Sequence, residues 1–511
     1  MKSVKIKPLQ LFINLFLPLL QISAQIYVAT DGSDSNPGSF SQPFASIPKA
    51  ISVAIPGDTI YVRGGTYEIS STIYINSSQS GTDSSRYYLV NYPGERPLLD
   101  FSSQSFGNKG FSLRADYWII KGLDITGAGD NGLQIYGGSY NIVENCSFFE
   151  NRDSGVQLSS GASYNRIINC DSYYNADPTD YGDADGFAPK LDVGLDNYFY
   201  GCRAWGNCDD GWDGYMRGAD DVTTILENCW SWGNGYLKDG SDPGSQANGN
   251  GFKMGGGDDG NADQLMHHHI LKNCLAFHNK NKGFDQNNNV GSMTLINCTG
   301  FGNQTANYRI KRELNAGQTL TVTNCISYQG GVELGAFAIQ ESNSWLGGFS
   351  VTEEDFITLN PEMASAPRQA DGSLPEIDFM HLARGSDLID AGVETGLPFY
   401  GEAPDLGTFE SNYDEVSVFV ERLPENFRLL QNYPNPFNAS TTIRYSVPKT
   451  EMVTIEIYDI HGRWVTRMVH ELHQPGTYMT TWDTGNYSSG AYLYRIYAGE
   501  FVQTRKMILV K

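Results

Sequence analysis

The chain has 511 residues, more than one compact domain ordinarily holds, and a formal net charge of -23 at pH 7. Its 56 glycines, 30 tyrosines and aromatic fraction of 12%, with only 18% charged residues, are typical of a turn-rich β protein rather than a helical one. The acidic excess argues against nucleic acid or an anionic membrane as a partner, because both require a basic surface.

The N-terminal segment, residues 1–24, predicts a secretory signal peptide. Lysines precede an apolar run that ends at Ala24, which is the order of charged and apolar regions in such a signal. A membrane anchor is the alternative, but prolines and polar residues leave no unbroken run of about 20 apolar residues. We therefore expect an exported protein without a membrane span, cleaved near Gln25.

A repeat runs through the cysteines. Seven of the eight are followed three residues later by an aromatic residue, and six of these seven are followed five residues later by Asn. The shortest repeats are 24 residues long, and self-similarity at this period indicates stacked supersecondary units. The seven cysteines are Cys146, Cys170, Cys202, Cys229, Cys274, Cys298 and Cys325, and the six asparagines are Asn151, Asn175, Asn207, Asn234, Asn279 and Asn303.

Short strands, many Asn and Gly residues and no helical periodicity predict a parallel β-helix, with rungs about 4.8 Å apart. Equivalent residues then stack, so we expect an interior cysteine column and a hydrogen-bonded asparagine ladder at a turn. Disulfides between adjacent rungs are the alternative, because export permits them and the rung spacing brings cysteine Cα atoms within reach. The repeated aromatic residues are predicted to pack together, since every rung carries one.

A second landmark of the repeat is a glycine that falls between a ladder asparagine and the next cysteine. In the rungs of Gly186 and Gly251 the segment before the glycine is longer than in the others. Insertions gathered on one side of a solenoid usually build its binding face. The aligned glycines are Gly132, Gly155, Gly186, Gly211, Gly251 and Gly283.

Alignment on these glycines predicts where the aspartates lie. Asp185 and Asp210 precede consecutive glycines and should stack, with Asp209 and Asp213 beside them. Four carboxylates this close cannot all stay ionised unless a cation joins them, and a loose cluster of oxygen ligands favours Ca²⁺ over Mg²⁺. The alternative is that these aspartates form turns or carry surface charge.

Lys253 stands one rung after Asp213 in the same predicted column. One interpretation is a structural ion pair with Asp213, and the other is a Brønsted base, since a bound Ca²⁺ favours the neutral amine. An ion that bridges protein and substrate carboxylates would let an acidic protein hold an acidic polysaccharide. Lys253 could then remove the C5 proton of a uronate, and the oxygen at C4 would leave by β-elimination.

Three segments of the chain carry a family resemblance: DADGFAPK (183–190), GCRAWGNCDDGWDGY (201–215) and NGNGFKMGG (248–256). With them, about residues 26–410 resemble the family 9 polysaccharide lyases, a group of pectate lyases and relatives. The resemblance implies that Asp185, Asp209, Asp210 and Asp213 bind calcium and that Lys253 is the catalytic base.

The tail, from about residue 420, reads as alternating strands joined by Gly and Pro turns and predicts a small β-sandwich. Segments such as SSGAYLYRIYAGEFVQTRKMILVK resemble the C-terminal sorting domain of type IX secretion substrates. That resemblance implies export across the outer membrane, followed by surface attachment or release. A carbohydrate-binding module is the alternative for this segment.

Together these features predict an all-β, monomeric, secreted or cell-surface protein. We expect a signal peptide at 1–24, a right-handed parallel β-helix with the catalytic site at 25–415, and a β-sandwich sorting domain at 420–511. The expected partners are an acidic pectic polysaccharide, either homogalacturonan or rhamnogalacturonan I, and the type IX secretion machinery. An inverting glycoside hydrolase without calcium and a non-catalytic adhesin with structural calcium are the alternative functions.

Two further groups of residues are interpreted as structural. Three consecutive histidines on a strand point to alternate faces, so they are not predicted to share one metal ion; they are His267, His268 and His269. Four basic residues are candidates to bind substrate carboxylates but are interpreted as ordinary surface or turn charges; they are Lys190, Arg217, Arg309 and Lys311.

Overall fold

The structure is a computed structural model that describes residues 23–218, 220–257, 260, 264–413, 427–430, 432, 435, 437–438, 440–474, 476–485, 487–499 and 501–510. The predicted signal peptide lies outside the described residues except for its last two positions. The chain divides into two compact units, Met1–Tyr413 and Asp414–Lys511.

The larger unit is a parallel β-helix built from three sheets. Each coil contributes one strand to each sheet, and the strand pairs in parallel with its equivalents in the neighbouring coils. The coil is right-handed, which is the usual hand of a crossover between parallel strands. The predicted fold class is therefore confirmed.

The first sheet consists of twelve described strands. They are β1 (Gln25–Val28), β2 (Thr59–Val62), β5 (Tyr87–Asn91), β8 (Trp118–Lys121), β11 (Ile142–Glu144), β14 (Arg166–Ile168), β17 (Asn197–Tyr200), β20 (Val222–Glu227), β23 (His267–Lys272), β26 (Met293–Ile296), β29 (Leu320–Thr323) and β32 (Ile339–Glu341). Alternate residues of these strands face the interior, as the burial pattern of β20 shows.

The second and third sheets have ten described strands each. The second sheet contains β4 (Ile73–Ile75), β7 (Phe111–Leu113), β10 (Leu133–Tyr136), β13 (Val156–Ser159), β16 (Phe187–Pro189), β19 (Trp212–Asp213), β22 (Phe252–Lys253), β25 (Lys282–Asp285), β28 (Ala306–Ile310) and β31 (Val332–Leu334). The third contains β3 (Gly65–Glu68), β6 (Pro97–Asp100), β9 (Asp124–Thr126), β12 (Ser147–Phe149), β15 (Asp171–Tyr173), β18 (Arg203–Trp205), β21 (Trp230–Trp232), β24 (Leu275–Phe277), β27 (Thr299–Phe301) and β30 (Ile326–Tyr328).

The asparagine ladder is confirmed. Each of the six predicted side chains is buried, and each of the first five donates its Nδ2 hydrogen to Oδ1 of the next, over 2.8 to 3.0 Å. Amide groups satisfy one another in this way because each carries both donors and an acceptor. A second, shorter ladder joins Asn141, Asn165 and Asn197 at another turn.

The predicted cysteine column is also confirmed, and the disulfide alternative is wrong. All eight cysteines are free and buried. The stacked thiols donate to backbone carbonyl oxygens, as Cys202 does to Ile167 over 3.3 Å. Cys208 lies outside the column and packs against Ala184 and Ala247.

We expect no cysteine of the native protein to react with a chromogenic thiol reagent, because burial hides each thiol and raises the pKa of Cys170, Cys202 and Cys229 in the middle of the column. After unfolding in denaturant without a reductant, all eight thiols should react. A lower count in the unfolded protein would show that disulfides form after all, and rapid reaction of the native protein would show that the column is open to solvent.

A short helix covers the N-terminal end of the β-helix core. This helix, α1 (Ile47–Val53), is capped by Ser46, whose side chain accepts a hydrogen bond from the backbone of Lys49 over 3.3 Å. Ile47 and Ile51 are buried in the same core as the first strands. Such a cap protects the otherwise open end of a solenoid. Within the described residues, short 3₁₀ helices span Ser77–Gln79, Glu353–Asp355 and Pro361–Ser365.

The segment after the last coil packs along the outer face of the third sheet, where Phe356 and Phe379 join a core with Phe277 and Phe301. A buried ion-pair network anchors this segment. Asp171 accepts hydrogen bonds from Arg203 over 2.8 Å and from Arg368 over 2.7 Å.

The smaller unit forms two antiparallel sheets that share one apolar core. One sheet contains β33 (Arg428–Leu429), β34 (Ser440–Val447) and β37 (Gly476–Asp483), and the other contains β35 (Glu451–Asp459), β36 (Trp464–His473), β38 (Gly490–Ala498) and β39 (Phe501–Leu509). This is the predicted small β-sandwich.

Candidate active site

The site lies where the chain enters the second sheet, at the column of aligned glycines. A Cβ atom at Gly186 would lie 2.7 Å from the Gly211 carbonyl oxygen, and one at Gly211 would lie 2.6 Å from that of Gly251. These rungs therefore approach closely only because the position carries no side chain. The close approach brings the residues before the glycines into contact.

The predicted stacking of those residues is present. The backbone N–H of Asp210 donates to Asp185 Oδ1 over 3.2 Å, and that of Asn250 donates to Asp210 Oδ1 over 2.7 Å. Asp209 accepts hydrogen bonds from the backbone and the side chain of Asn248, a residue of the long segment before Gly251. The insertion thus closes over the aspartates.

Three carboxylates form one cluster. Asp185, Asp209 and Asp210 each offer an oxygen, and these oxygens all lie within 4.8 Å of one another. All three residues are at most 1% exposed. Burial raises the pKa of Asp185 and Asp209 above the usual range and, with the negative charge of Asp209 nearby, raises the pKa of Asp210 to about 8. The cluster therefore holds more negative charge than its surroundings compensate.

The fourth predicted ligand, Asp213, occupies a different position. It pairs in register with Lys253 on the next strand, and its two oxygens lie 3.3 Å from Lys253 Nζ and 3.5 Å from Lys190 Nζ. Asp213 thus stands between two ammonium groups beside the cluster, and the predicted convergence of four aspartates appears as three clustered carboxylates and one neighbour.

Lys253 faces the cluster, with its Nζ 3.1 Å from Asp210 Oδ2. Lys253 is 9% exposed, and burial alone would lower the pKa of its amine. The charges of Asp213 and Asp210 outweigh this effect and raise the pKa well above its usual range. Lys253 is therefore protonated while the carboxylates around it carry no other cation.

Lys190 is the site residue that sequence reasoning misjudged. It is not a surface charge: it is 5% exposed, and its Nζ lies 2.7 Å from Asp185 Oδ2. The alternation of strand residues held the signal, because Lys190 lies two positions beyond the outward-facing Ala188, directly after the end of β16. The insertion that buries it could not be placed from the sequence.

The donor set fits a divalent cation. With every group ionised, four aspartates and two lysines would leave an excess of two negative charges (4 minus 2) in this buried group, and a bound cation favours that ionised state. Asp210 Oδ2 is buried and receives no well-aligned hydrogen bond in the described structure, although Lys253 Nζ lies 3.1 Å from it. Carboxylate oxygens in an irregular arrangement are the ligands that Ca²⁺ prefers.

The remaining candidates lie elsewhere or make other contacts. His267 and His269 are buried, whereas His268 points outward with its Nε2 2.8 Å from Asp221 Oδ1, so the three do not share one site. Arg309 and Lys311 lie on the second sheet, and both pair with Glu333. The Arg217 guanidinium lies 5.6 Å from the ring centre of Tyr215.

Comparison with known proteins identifies the family to which the β-helix belongs. Residues 26–343 match the Pel9A-like, right-handed β-helix region. The chain belongs to the Pel9A-like family. Pectate lyase L of Paenibacillus polymyxa (strain SC2) is 40% identical over 398 residues, which cover 73% of this chain and 85% of that protein. As a member of the Pel9A-like family with such relatives, the protein is a polysaccharide lyase.

Two solved structures resemble the Pel9A-like protein described here. The crystal structure of pectate lyase Pel9A superposes with a TM-score of 0.70 and 37% identity, covering 76% of this chain and 97% of that chain. A rhamnogalacturonan lyase superposes with a TM-score of 0.61 and 26% identity, covering 71% of this chain and 97% of that chain. The resemblance to family 9 polysaccharide lyases is confirmed.

The C-terminal part matches a second family. Residues 431–511 match the secretion system C-terminal sorting domain, which confirms the predicted sorting role and a secreted or cell-surface location. In the part of the chain that the structure describes, no helix is long and apolar enough to cross a membrane.

Proposed function

We propose that this protein is a calcium-dependent lyase that cleaves pectic polyuronate by β-elimination, with Lys253 as the base. One observation carries the proposal: Lys253 Nζ lies on the outward face of the second sheet, 3.1 Å from Asp210, at the edge of a cluster of three buried carboxylates. An amine beside a cation site is the arrangement that proton removal next to a carboxylate requires.

In the proposed site Asp185, Asp209, Asp210 and Asp213 hold Ca²⁺. Bound there, the ion would neutralise the aspartates and withdraw electron density from a uronate carboxylate, which acidifies the proton on C5. Backbone N–H groups orient three of the four carboxylates, those of Asp185, Asp210 and Asp209. The protein therefore offers a largely preformed oxygen site.

Lys253 must lose its own proton before it can act as a base. The negative charges of the aspartates raise the pKa of the Lys253 amine and so favour its charged form. When these carboxylates pair with another cation, they no longer raise that pKa. The neutral amine then takes the C5 proton, the C4–C5 double bond forms, and the C4 oxygen leaves with the electron pair of the glycosidic bond. No water enters this step, which distinguishes it from hydrolysis.

Two substrates fit this chemistry. Homogalacturonan carries a carboxylate on every sugar, and rhamnogalacturonan I on every second one. The greater identity to pectate lyase Pel9A than to the rhamnogalacturonan lyase favours homogalacturonan.

The proposed organisation is a signal peptide at 1–24, a catalytic domain at 25–415 and a sorting domain at 420–511. The sorting-domain match supports passage through the type IX secretion machinery. We propose that the catalytic domain acts as a monomer, because the site is built from residues of one chain.

The test is to incubate the purified protein with polygalacturonate and with rhamnogalacturonan I, each with added calcium or with a chelator. We expect a calcium-dependent rise in the ultraviolet absorbance of the unsaturated product, larger on polygalacturonate. New reducing ends without this absorbance would replace the proposal with a hydrolase. Binding without any cleavage would favour the adhesin.

A further inference from the structure

The outward face of the second sheet is uncharged on the N-terminal side of the site and charged from the site onward. Strand pairing places ten residues in one column: Tyr74, Ser112, Gln134, Gln157, Ala188, Asp213, Lys253, Asp285, Arg309 and Glu333. From Asp213 onward every member is charged, and before it none is. The N-terminal half of this column thus carries no charge that would repel or attract a polyuronate.

Arg114 places a positive charge near the N-terminal end of this uncharged half of the column. Arg114 follows β7 on the same outward face, and its guanidinium carbon lies 5.2 Å from the ring centre of Tyr136 and 5.9 Å from that of Tyr74. Tyr136 is 44% exposed and Tyr74 is 52% exposed, so both rings are accessible to a ligand. Arg114 Nε also donates to Ser112 Oγ over 3.3 Å, which helps to hold the guanidinium between the rings.

Arg114 differs from the other cations on this face. Lys190, Lys253, Lys282 and Arg309 each have a carboxylate oxygen within 4.0 Å. Among the residues that the structure describes, no carboxylate oxygen lies within 4.0 Å of the Arg114 guanidinium. This is so although the whole chain has 58 acidic residues against 35 lysines and arginines. A guanidinium held by aromatic rings and left without a carboxylate can accept one from a ligand.

The position also suits a long ligand. Asp213 and Ser112 are four rungs apart in the column, or about 19 Å at about 4.8 Å per rung. A saccharide that places its scissile bond at Lys253 must therefore extend over several sugars to reach Arg114. The rungs between carry Gln134, Gln157 and Ala188. Gln157 and Ala188 are buried, whereas the partly exposed amide of Gln134 can exchange hydrogen bonds with sugar hydroxyls.

We propose that Arg114, Tyr74 and Tyr136 form a distal subsite that binds a uronate residue of a polysaccharide lying along the second sheet. Arg114 pairs with the uronate carboxylate, and the exposed tyrosines contact the apolar C–H groups of the sugar ring. The assignment of this subsite rests on the proposed function. With this subsite, the enzyme prefers long acidic chains over short ones.

The experiment compares Arg114→Ala with the unmodified full-length protein on octagalacturonate and on trigalacturonate. A charge-assisted contact of this kind is worth about tenfold, so the ratio of kcat/KM on the long substrate to that on the short one should fall about tenfold. Tyr136→Ala should lower the same ratio. An unchanged ratio for Arg114→Ala would overturn the subsite.

Arg166→Ala is the matched control. Arg166 is exposed and lies over Tyr198 at 4.9 Å in the same way, but on the first sheet. We expect this variant to keep the wild-type ratio. An equal fall in both arginine variants would show a general charge effect and would contradict the assignment.

A binding measurement separates the subsite from the proposed function. Calorimetry with octagalacturonate compares Lys253→Ala with the double variant Lys253→Ala, Arg114→Ala, and neither needs to cleave. About tenfold weaker binding by the double variant supports the subsite even if no pectin is cleaved. Equal binding by the two variants overturns it even if the unmodified protein proves to be an active lyase.

Discussion

Lys253→Ala should lower kcat on polygalacturonate by about 10³-fold at saturating calcium, because the only step it removes is proton abstraction by a positioned base. KM should change much less, since the proposed role of Lys253 is proton removal at the reacting carbon and not binding along the sugar chain. The measurement is the initial rate of increase in ultraviolet absorbance, with circular dichroism to show that the variant is folded.

Two further lysine variants sharpen this test. Lys253→Arg keeps the charge beside Asp210 and Asp213, but a guanidinium does not lose its proton, so this variant should be as inactive as Lys253→Ala. Lys190→Ala removes the other buried ammonium group, 2.7 Å from Asp185. If Lys190→Ala is inactive while Lys253→Ala keeps substantial activity, Lys190 is the base and the assignment to Lys253 is wrong.

Asp210→Asn should abolish the response to calcium and lower kcat/KM by at least about 10²-fold, because the cluster loses one of its three central carboxylates. The metal-free variant should be at least as stable as the wild type. Burial and the charge of Asp209 disfavour ionised Asp210, whereas an amide still accepts the hydrogen bonds from Asn250. Thermal unfolding with calcium and with chelator measures both effects.

The stability of the metal-free protein and the rise in Tm that calcium causes should both depend on pH. Since burial raises the pKa of Asp210 to about 8, the metal-free protein should lose stability as the pH rises towards that value. Calcium competes with the proton, so the rise in Tm that calcium causes should grow over the same range. In Asp210→Asn both trends should weaken.

Asp130→Asn is the matched control for this variant. Asp130 occupies the register position of Asp209 three rungs earlier and pairs with Lys109 over 2.9 Å, away from the cluster. It should keep the wild-type calcium response. If Asp130→Asn and Asp210→Asn respond alike, calcium acts through surface charge and not through the cluster.

The repeats made most of the fold predictable. Cysteine, asparagine and glycine recur at fixed offsets, and in a β-helix a fixed offset means a fixed place in the cross-section, so the Cys146 and Asn151 columns were found from spacing alone. The helix α1 and the Asn141 ladder were not found, because neither belongs to that repeat.

The site was predictable to the extent that it follows the same register. Asp185 and Asp210 stack as their glycines predict, and Asp213 pairs with Lys253. The separation of Asp213 from the three clustered aspartates was not predictable, because it depends on where the side chains turn once Lys190 lies among them.

By itself, the sequence determined which residues share a column, since strand spacing and alternation follow directly from the order of residues. Only the tertiary structure decided which of them are buried and which charges meet. The segment that reaches Asn248 folds over Asp209, excludes water and so sets the pKa values of the carboxylates. Such an irregular segment has no period, and its path depends on contacts between residues that are distant in the chain.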